Sequence, residues 1–224
     1  MRWIQKIFFG IVTFFFASTL LAVVAYKFLP VVITPLMVIR AVENVKDGES
    51  PVWHHTWESM DDISPEMPRA VIASEDQRFF QHHGFDFEAI KTAQKLNKEA
   101  GRNKFGASTI TQQTAKNVFL WPGRSWMRKG LEAYFTVLIE FVWGKERILE
   151  VYLNSIEMGK DIYGVEAVAE ENFGKEAIDL TKRECALIAA TLPNPREYSS
   201  KDPSSYMRKR QRAILKQMRY VSLP

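Results

Sequence analysis

The chain has 224 residues, 46% of them hydrophobic and 25% charged, a composition typical of folded proteins that excludes a disordered one. About 190 residues remain after the first ~35, enough for one anchored domain with a single core. The net charge of +4 fits a phosphate-containing or anionic lipid partner. The only cysteine, Cys185, excludes an internal disulfide, and its apolar neighbours predict an inert position on a buried helix face.

An uncharged apolar run from Ile7 to Tyr26 has the length of a bilayer-spanning helix. Arg2 and Lys6 precede it, which predicts a cytoplasmic N-terminus. A signal peptide is the alternative, but the bulky residues 26–29 offer no small-residue cleavage site. We therefore expect a single-pass anchor in the inner membrane, with the remaining chain on the periplasmic side. The expected segments are a cytoplasmic N-terminus at 1–6, a transmembrane helix at 7–28, a membrane-proximal segment at 29–62 and the main domain at 63–224.

The segment from Leu29 to Val42 stays apolar and is interrupted by two prolines. It fits either a segment lying against lipid or a short buried helix, and the sequence leaves both open. Val45 to Asp62 predicts a loop with a short strand. His54 and His55 lie in this loop and alternate in direction, so we interpret them as surface residues and not as a metal site.

The next stretch predicts a helix that begins behind Ser64 as N-cap and ends at Gly84. On such a helix Val71, Glu75 and Phe79 share one face. Glu75 would lie in an apolar stripe, where a carboxylate either has a buried cationic partner or has a raised pKa. The second case suits a general base working near neutral pH, and a structural Glu–Arg pair is the alternative.

Caps and apolar periodicity predict further helices along the rest of the chain, and strand signals are sparse. The domain is therefore predicted to be mainly α. The basic run of the last helix is interpreted as a solvated face, and contact with a membrane or a partner is the alternative. The predicted helices cover Phe87–Glu99 behind Asp86, a helix from Thr109, Ser125–Trp143, Lys145–Asn154, Val165–Phe173, Lys182–Leu192 and a last helix from Asp202.

Two features indicate a site for an anion. Thr109 and Gln112 form a capping box, and a helix N-terminus offers free N–H groups and a positive dipole end to phosphate. The first turns of the helix behind Ser125 carry cations that oppose the dipole, which indicates an anionic ligand. An ordinary capped helix and a solvated basic face are the alternatives. The residues in these two places are Ser108, Gln113, Lys116, Arg124, Arg128 and Lys129, with Glu132 beside the last two.

Five segments carry polar residues at fixed spacings between Ser74 and about Tyr198. They read Glu75-Asp76-x-x-Phe79-x-x-His82-x-Gly84; Gly106-x-Ser108-Thr109-Ile110-Thr111-Gln112-Gln113-x-x-Lys116-Asn117; Arg128-Lys129-x-x-Glu132; Ile148-Leu149-Glu150-x-Tyr152-Leu153-Asn154; and Ala186-Leu187-Ile188-Ala189-Ala190-x-Leu192-Pro193-Asn194-Pro195. Together and in this order they resemble the motifs of the peptidoglycan glycosyltransferases, glycosyltransferase family fifty-one.

The resemblance implies a lysozyme-like helical domain with a smaller membrane-proximal lobe. It implies inverting transfer that polymerises glycan strands from lipid II, forms β-1,4 links and releases undecaprenyl pyrophosphate. Because no second domain fits before Pro224, we expect the monofunctional form. Expected partners are lipid II, the growing glycan strand, the membrane and other cell-wall synthesis proteins, with no nucleic acid.

The resemblance also implies roles for individual residues. Glu75 matches the first essential glutamate and is assigned as general base, and Asp76 is expected to orient the site. Glu132 matches the second, and beside its cations it either orients them or helps to bind a divalent ion. Pyrophosphate is assigned to Lys116, Arg128 and Lys129, with Ser108, Gln113 and Arg124. Mg²⁺ is compatible with the resemblance, but no compact ligand cluster demands it, so no metal ligand is assigned.

Two other functions fit parts of the pattern. A peptidoglycan hydrolase also uses two carboxylates in a helical fold, but it does not need a cluster of cations for a neutral leaving sugar. A non-catalytic scaffold for cell-wall assembly would keep the basic surface without needing Glu75.

Overall fold

The structure, a computed structural model, describes residues 2–101, 106–123 and 125–224. The prediction of a mainly α protein is confirmed, and most of the predicted helices lie within one to three residues of their expected bounds. The helices are α1 Arg2–Phe28, α2 Pro35–Lys46, α3 Glu66–Glu75, α4 Phe87–Glu99, α5 Ile110–Phe119, α6 Trp126–Val142, α7 Lys145–Ser155, α8 Val165–Phe173, α9 Lys182–Thr191 and α10 Ser205–Gln217.

A small sheet closes one side of the helical domain. Its order is β1 (His54–His55), β3 (Ile162–Tyr163), β2 (Glu157–Gly159), with β1 parallel and β2 antiparallel to β3. The predicted loop with a short strand is thus confirmed at β1. The ring of His54 lies 2.8 Å from the carboxylate of Glu171.

The core lies between α3, α5, α7 and α9, which pack pairwise as α3 on α9 and α5 on α7. Helix α9 is buried from Cys185 to Thr191, and its N-terminus has the predicted capping box of Thr181 and Glu184. Cys185 on this helix is fully buried, and burial raises the pKa of its thiol to about 12. The interpretation of Cys185 as inert core is confirmed.

The predicted long helix from Ser64 to Gly84 is wrong at both ends. Helix α3 begins at Glu66, and the Ser64 hydroxyl donates to the carbonyl of Leu180 (2.8 Å) without capping the helix. The helix ends at Glu75 because Asp76 adopts an extended backbone, with φ −160° and ψ 75°. In this position the Asp76 carboxylate accepts from the backbone N–H of Ile110 (3.0 Å), so the end of α3 is bound to the start of α5.

Gly84 does not end α3. It lies in the loop between α3 and α4 and allows α6 to approach that loop. Its φ is +84°, in the left-handed region that favours glycine. A Cβ at this position would lie 2.7 Å from Cγ2 of Thr136 and 3.0 Å from Cγ of Glu140, both on α6. The close contact between this loop and α6 therefore requires glycine.

Helix α1 is long and apolar enough to cross a membrane, and it fits a single-pass anchor. Its C-terminal half packs against α6. The indole N–H of Trp143 donates to the carbonyl of Val23 (2.7 Å), and the guanidinium of Arg147 donates to the carbonyls of Tyr26 (2.9 Å) and Leu29 (2.5 Å). Because these groups come from the main domain, the end of the anchor is bound to that domain.

The apolar segment behind the anchor forms α2, capped by the side chain of Thr34. Its inner face buries Met37 and Ala41, and its outer face exposes Val38 and Val42. The segment is therefore a half-buried amphipathic helix, which combines features of the two alternatives.

Candidate active site

Glu75 is the last residue of α3, and its side chain is 16% exposed. One carboxylate oxygen accepts from the hydroxyl of Ser74 (2.9 Å), and the other accepts from the side-chain amide of Gln113 (3.3 Å). A guanidinium nitrogen of Arg210 lies 3.7 Å from the first oxygen. Of the two cases predicted for a carboxylate here, the structure therefore provides the cationic partner, but the carboxylate stays partly accessible.

Arg210 is a residue that the sequence analysis missed, because the basic run of α10 was interpreted as a solvated face. Its guanidinium donates to the hydroxyl of Ser74 (3.2 Å) and is only partly exposed. A signal was present in the sequence: Met207, Arg210 and Ile214 share the face of α10 that is buried against α3 and α9. An arginine on an apolar helical face indicates a partner in the core.

Tyr152 on α7 is a second residue without an assigned role in the sequence analysis. Its side chain is fully buried, and its hydroxyl donates to the amide oxygen of Gln113 (3.1 Å). Burial, and to a smaller extent the nearby carboxylates of Glu75 and Asp76, raise the pKa of Tyr152 well above its usual value. The phenol therefore stays neutral and keeps its proton for the hydrogen bond.

Glu132 lies in the middle of α6 and is 3% exposed. One of its oxygens accepts from the guanidinium of Arg128 (2.6 Å), and the other pairs with the ammonium of Lys129. Arg128 is buried, whereas the side chain of Lys129 is 45% exposed. Of the two roles left open for Glu132, this arrangement favours orientation of the cations.

Helix α5 lies between these two groups. Gln113 contacts Glu75, and Lys116 follows on the same side of the helix, about 4.5 Å further along its axis. Burial lowers the pKa of Lys116, the charge of Glu132 partly opposes this effect, and Arg128 and Lys129 lower the pKa further. Lys116 therefore belongs electrostatically to the cluster around Glu132, although it lies one helical turn from the contact with Glu75.

The N-terminus of α5 has protein acceptors for some of its N–H groups, and the phosphate site expected there stays a prediction. The predicted capping box of Thr109 and Gln112 is present, and the N–H of Ile110 donates to Asp76. An internal carboxylate thus accepts from one of the N–H groups that were expected to bind phosphate. Ser108 is exposed beside this N-terminus, and Arg124 lies outside the described residues.

In the described part of the chain, the side chains grouped closely enough to bind a metal are Asp76, His82 and Asp86. Both oxygens of Asp76 accept from the His82 ring (2.9 and 3.0 Å), and Asp86 caps α4. Both oxygens of Asp76 and of Glu132, and one oxygen of Asp86, thus have partners within the protein. They do not fit the shell of free oxygen ligands that Mg²⁺ needs, so no step of the chemistry is derived through a metal.

Comparison with known proteins identifies the family of the chain. Residues 43–219 match the sequence model of the transglycosylase family. A biosynthetic peptidoglycan transglycosylase of Bacteroides thetaiotaomicron is 60% identical over 212 residues, which cover 95% of this chain and 85% of the relative. Proteins of the same name from Bdellovibrio bacteriovorus and Caulobacter vibrioides are each 54% identical, over 96% and 88% of this chain and 84% and 83% of the relatives. The chain belongs to the transglycosylase family, and its helical domain has that family's lysozyme-like fold.

Proposed function

We propose that this peptidoglycan glycosyltransferase polymerises glycan strands from lipid II, forming β-1,4 links and releasing undecaprenyl pyrophosphate. The observation that carries the proposal is the position of α5. Through Gln113 it contacts a partly accessible carboxylate, Glu75, and through Lys116 it joins the cations around Glu132. An acceptor that must lose a proton and a donor that must release a diphosphate need these two groups side by side.

Glu75 is proposed as the general base. The acceptor's 4-hydroxyl oxygen forms a bond to the anomeric carbon of the growing strand, and its proton passes to the Glu75 carboxylate. The bond from that carbon to the pyrophosphate breaks in the same displacement, which inverts an α linkage to a β linkage. Such a base typically accelerates a reaction about 10²- to 10⁴-fold.

Lys116, Arg128 and Lys129 are proposed to bind the pyrophosphate as negative charge builds on it, together with Ser108, Gln113 and Arg124. Arginine offers a planar fork to phosphate oxygens, and lysine acts as a point charge. Glu132 orients Arg128 and Lys129, and the exposed side chain of Lys129 is accessible to a ligand. Cations that are in place before the reaction stabilise the developing charge without reorganisation.

The two alternatives fit the site less well. A glycoside hydrolase needs a protonated carboxyl that donates to a neutral leaving sugar, but both oxygens of Glu132 are engaged by cations. A non-catalytic scaffold needs the basic surface but not the Ser74, Gln113 and Arg210 contacts that converge on Glu75.

We further propose that the anchor at 7–28 crosses the inner membrane with residues 1–6 in the cytoplasm. The membrane-proximal segment at 29–62 and the glycosyltransferase domain at 63–224 then lie on the periplasmic side. Arg2 and Lys6 before the apolar run support this orientation. The exposed valines of α2 support a position of this segment near the membrane.

The test is polymerisation of lipid II by the purified full-length protein in detergent, with and without a chelator. Glu75→Gln keeps the shape of the side chain but removes the base, so we expect the rate to fall by about 10²- to 10⁴-fold. Glu146→Gln, an exposed carboxylate on α7, is the matched control and is expected to polymerise normally. Failure of the wild-type protein to form polymer, or full activity of the Glu75 variant, would contradict the proposal. Release of muropeptides from finished peptidoglycan would favour the hydrolase.

A further inference from the structure

Tyr152 is connected to Glu75, the proposed base, by hydrogen bonds that pass through Gln113. Its hydroxyl donates to the Gln113 amide oxygen (3.1 Å), and the Gln113 amide nitrogen donates to Glu75 (3.3 Å). Among the described residues, this is the one hydrogen bond that the structure shows for the Tyr152 hydroxyl, and the side chain is fully buried. The proton of this hydroxyl therefore has a single acceptor.

The amide of Gln113 can lie in two orientations, related by a half-turn about its last torsion. An ionised Glu75 can only accept, so it requires the amide nitrogen. A protonated Glu75 could instead donate to the amide oxygen after a half-turn. That half-turn would present the amide nitrogen to Tyr152 and leave the buried hydroxyl proton without an acceptor, which is unfavourable. Tyr152 thus favours the orientation in which Gln113 donates to Glu75.

We propose that Tyr152 is a positioning residue for glycan transfer: its hydroxyl fixes the Gln113 amide so that the amide nitrogen stays directed at Glu75. The inference rests on the proposed function, in which Glu75 is the base. Fixed in this way, Gln113 keeps one Glu75 oxygen oriented and favours the ionised carboxylate that can accept the acceptor's proton.

The element that carries Tyr152 is itself well fixed. Arg147, on the same helix α7, donates to the carbonyls of Tyr26 in the anchor helix and of Leu29 directly behind it, and it pairs with Glu150 (2.5 Å). Helix α7 also packs along α5, which carries Gln113. Tyr152 therefore approaches Gln113 from a helix that is held against both the anchor and the site.

The other groups around Glu75 are not hydrogen-bonded to the Tyr152 hydroxyl in the described structure, so we expect them to stay in place when the hydroxyl alone is removed. Arg210 approaches from α10, Ser74 precedes Glu75 on α3, and the carboxylate of Asp76 follows it. A change seen in Tyr152→Phe therefore reports on the hydroxyl and its effect on Gln113.

The experiment measures the pH dependence of lipid II polymerisation by full-length Tyr152→Phe. Without the hydroxyl, Gln113 is free to turn, and protonation of Glu75 becomes easier. We expect kcat to fall roughly tenfold on the acid side with KM little changed, and the acid limb of the pH profile to move to higher pH. Tyr163→Phe is the matched control, because Tyr163 is equally buried and its hydroxyl has no hydrogen-bond partner in the described part of the chain. Its acid limb is expected to stay in place.

A double-mutant cycle separates positioning from packing. In a Gln113→Met background, Tyr152→Phe is expected to have no further effect on the acid limb. The amide that connects the Tyr152 hydroxyl to Glu75 is already absent in that background. Gln113→Met alone should move the acid limb in the same direction. This measurement tests the inference even if Tyr152→Phe folds poorly. An unmoved limb in either single variant, or an equal drop from Tyr152→Phe in both backgrounds, would overturn the inference. These outcomes differ from failure of the proposed function, in which the wild-type protein does not polymerise or Glu75→Gln stays active.

Discussion

Glu75 and Glu132, the two glutamates of the site, are bound in opposite ways. Glu75 ends a helix, is partly accessible and accepts from two uncharged groups, with its nearest described cation 3.7 Å away. Glu132 lies inside a helix, is buried and contacts one cation with each oxygen. A carboxylate with neutral partners can exchange a proton, whereas one between two cations is better suited to orienting them. Under the proposed function, the same residue type therefore has two different roles, one at the end of α3 and one within α6.

The largest expected difference between the two regions is in stability. Removing one partner of a buried ion pair leaves the other charge uncompensated, so we expect Glu132→Gln to lower the free energy of unfolding by about 3 kcal/mol. Glu75→Gln should lower it by less than about 1 kcal/mol, because its ion pair is longer and partly exposed. Chemical unfolding of both full-length variants in the same detergent measures this difference. Equal losses would contradict the distinction between the two glutamates.

The second prediction concerns Lys116, the residue that joins the two regions. Because burial lowers its pKa, Lys116 loses its proton at a lower pH than an ordinary lysine. Its attraction for pyrophosphate is thus present at neutral pH and is lost as the pH rises through this lowered pKa. We expect the wild-type polymerisation rate to fall on the alkaline side, and Lys116→Arg to remove this fall, since arginine stays protonated.

The comparison for Lys116 is the shape of the pH profile and not the absolute rate, because arginine differs from lysine in geometry. Lys129→Arg is the matched control, because the side chain of Lys129 is 45% exposed and belongs to the same cluster. Its alkaline limb is expected to match that of the wild-type protein. A limb that persists in Lys116→Arg would assign the loss of activity to another group.

Local signals were sufficient to predict most helices but not the contacts at the site. The capping boxes at Thr109 and Thr181 depend on residues three positions apart, so the sequence shows them directly. The end of α3 depends on contacts of Asp76 with Ile110, which is distant in sequence. No local pattern contains that partner, and the apolar periodicity through Phe79 therefore predicted a helix that the structure ends at Glu75.

The same limit applies to the chemistry of the site. The cluster of Arg128, Lys129 and Glu132 could be predicted because its members lie three or four residues apart on one helix. The surroundings of Glu75 could not, since Gln113, Tyr152 and Arg210 come from three other helices. Sequence spacing thus identifies side chains that interact within one helix. The side chains around Glu75 come together only when separate helices pack against each other.

The smallest predicted effect comes from Arg210, which tests whether the Glu75 region works mainly through neutral partners. A cation 3.7 Å from Glu75 favours the ionised carboxylate, but its guanidinium is 28% exposed, so solvent weakens the interaction. We expect Arg210→Gln to lower the rate by about two- to fivefold on the acid side of the pH profile and little at higher pH. Arg208→Gln, an exposed arginine of the same helix, is the control and should behave as the wild-type protein. A loss as large as that of Glu75→Gln would mean that the cation, and not the Ser74 and Gln113 contacts, determines how the base works.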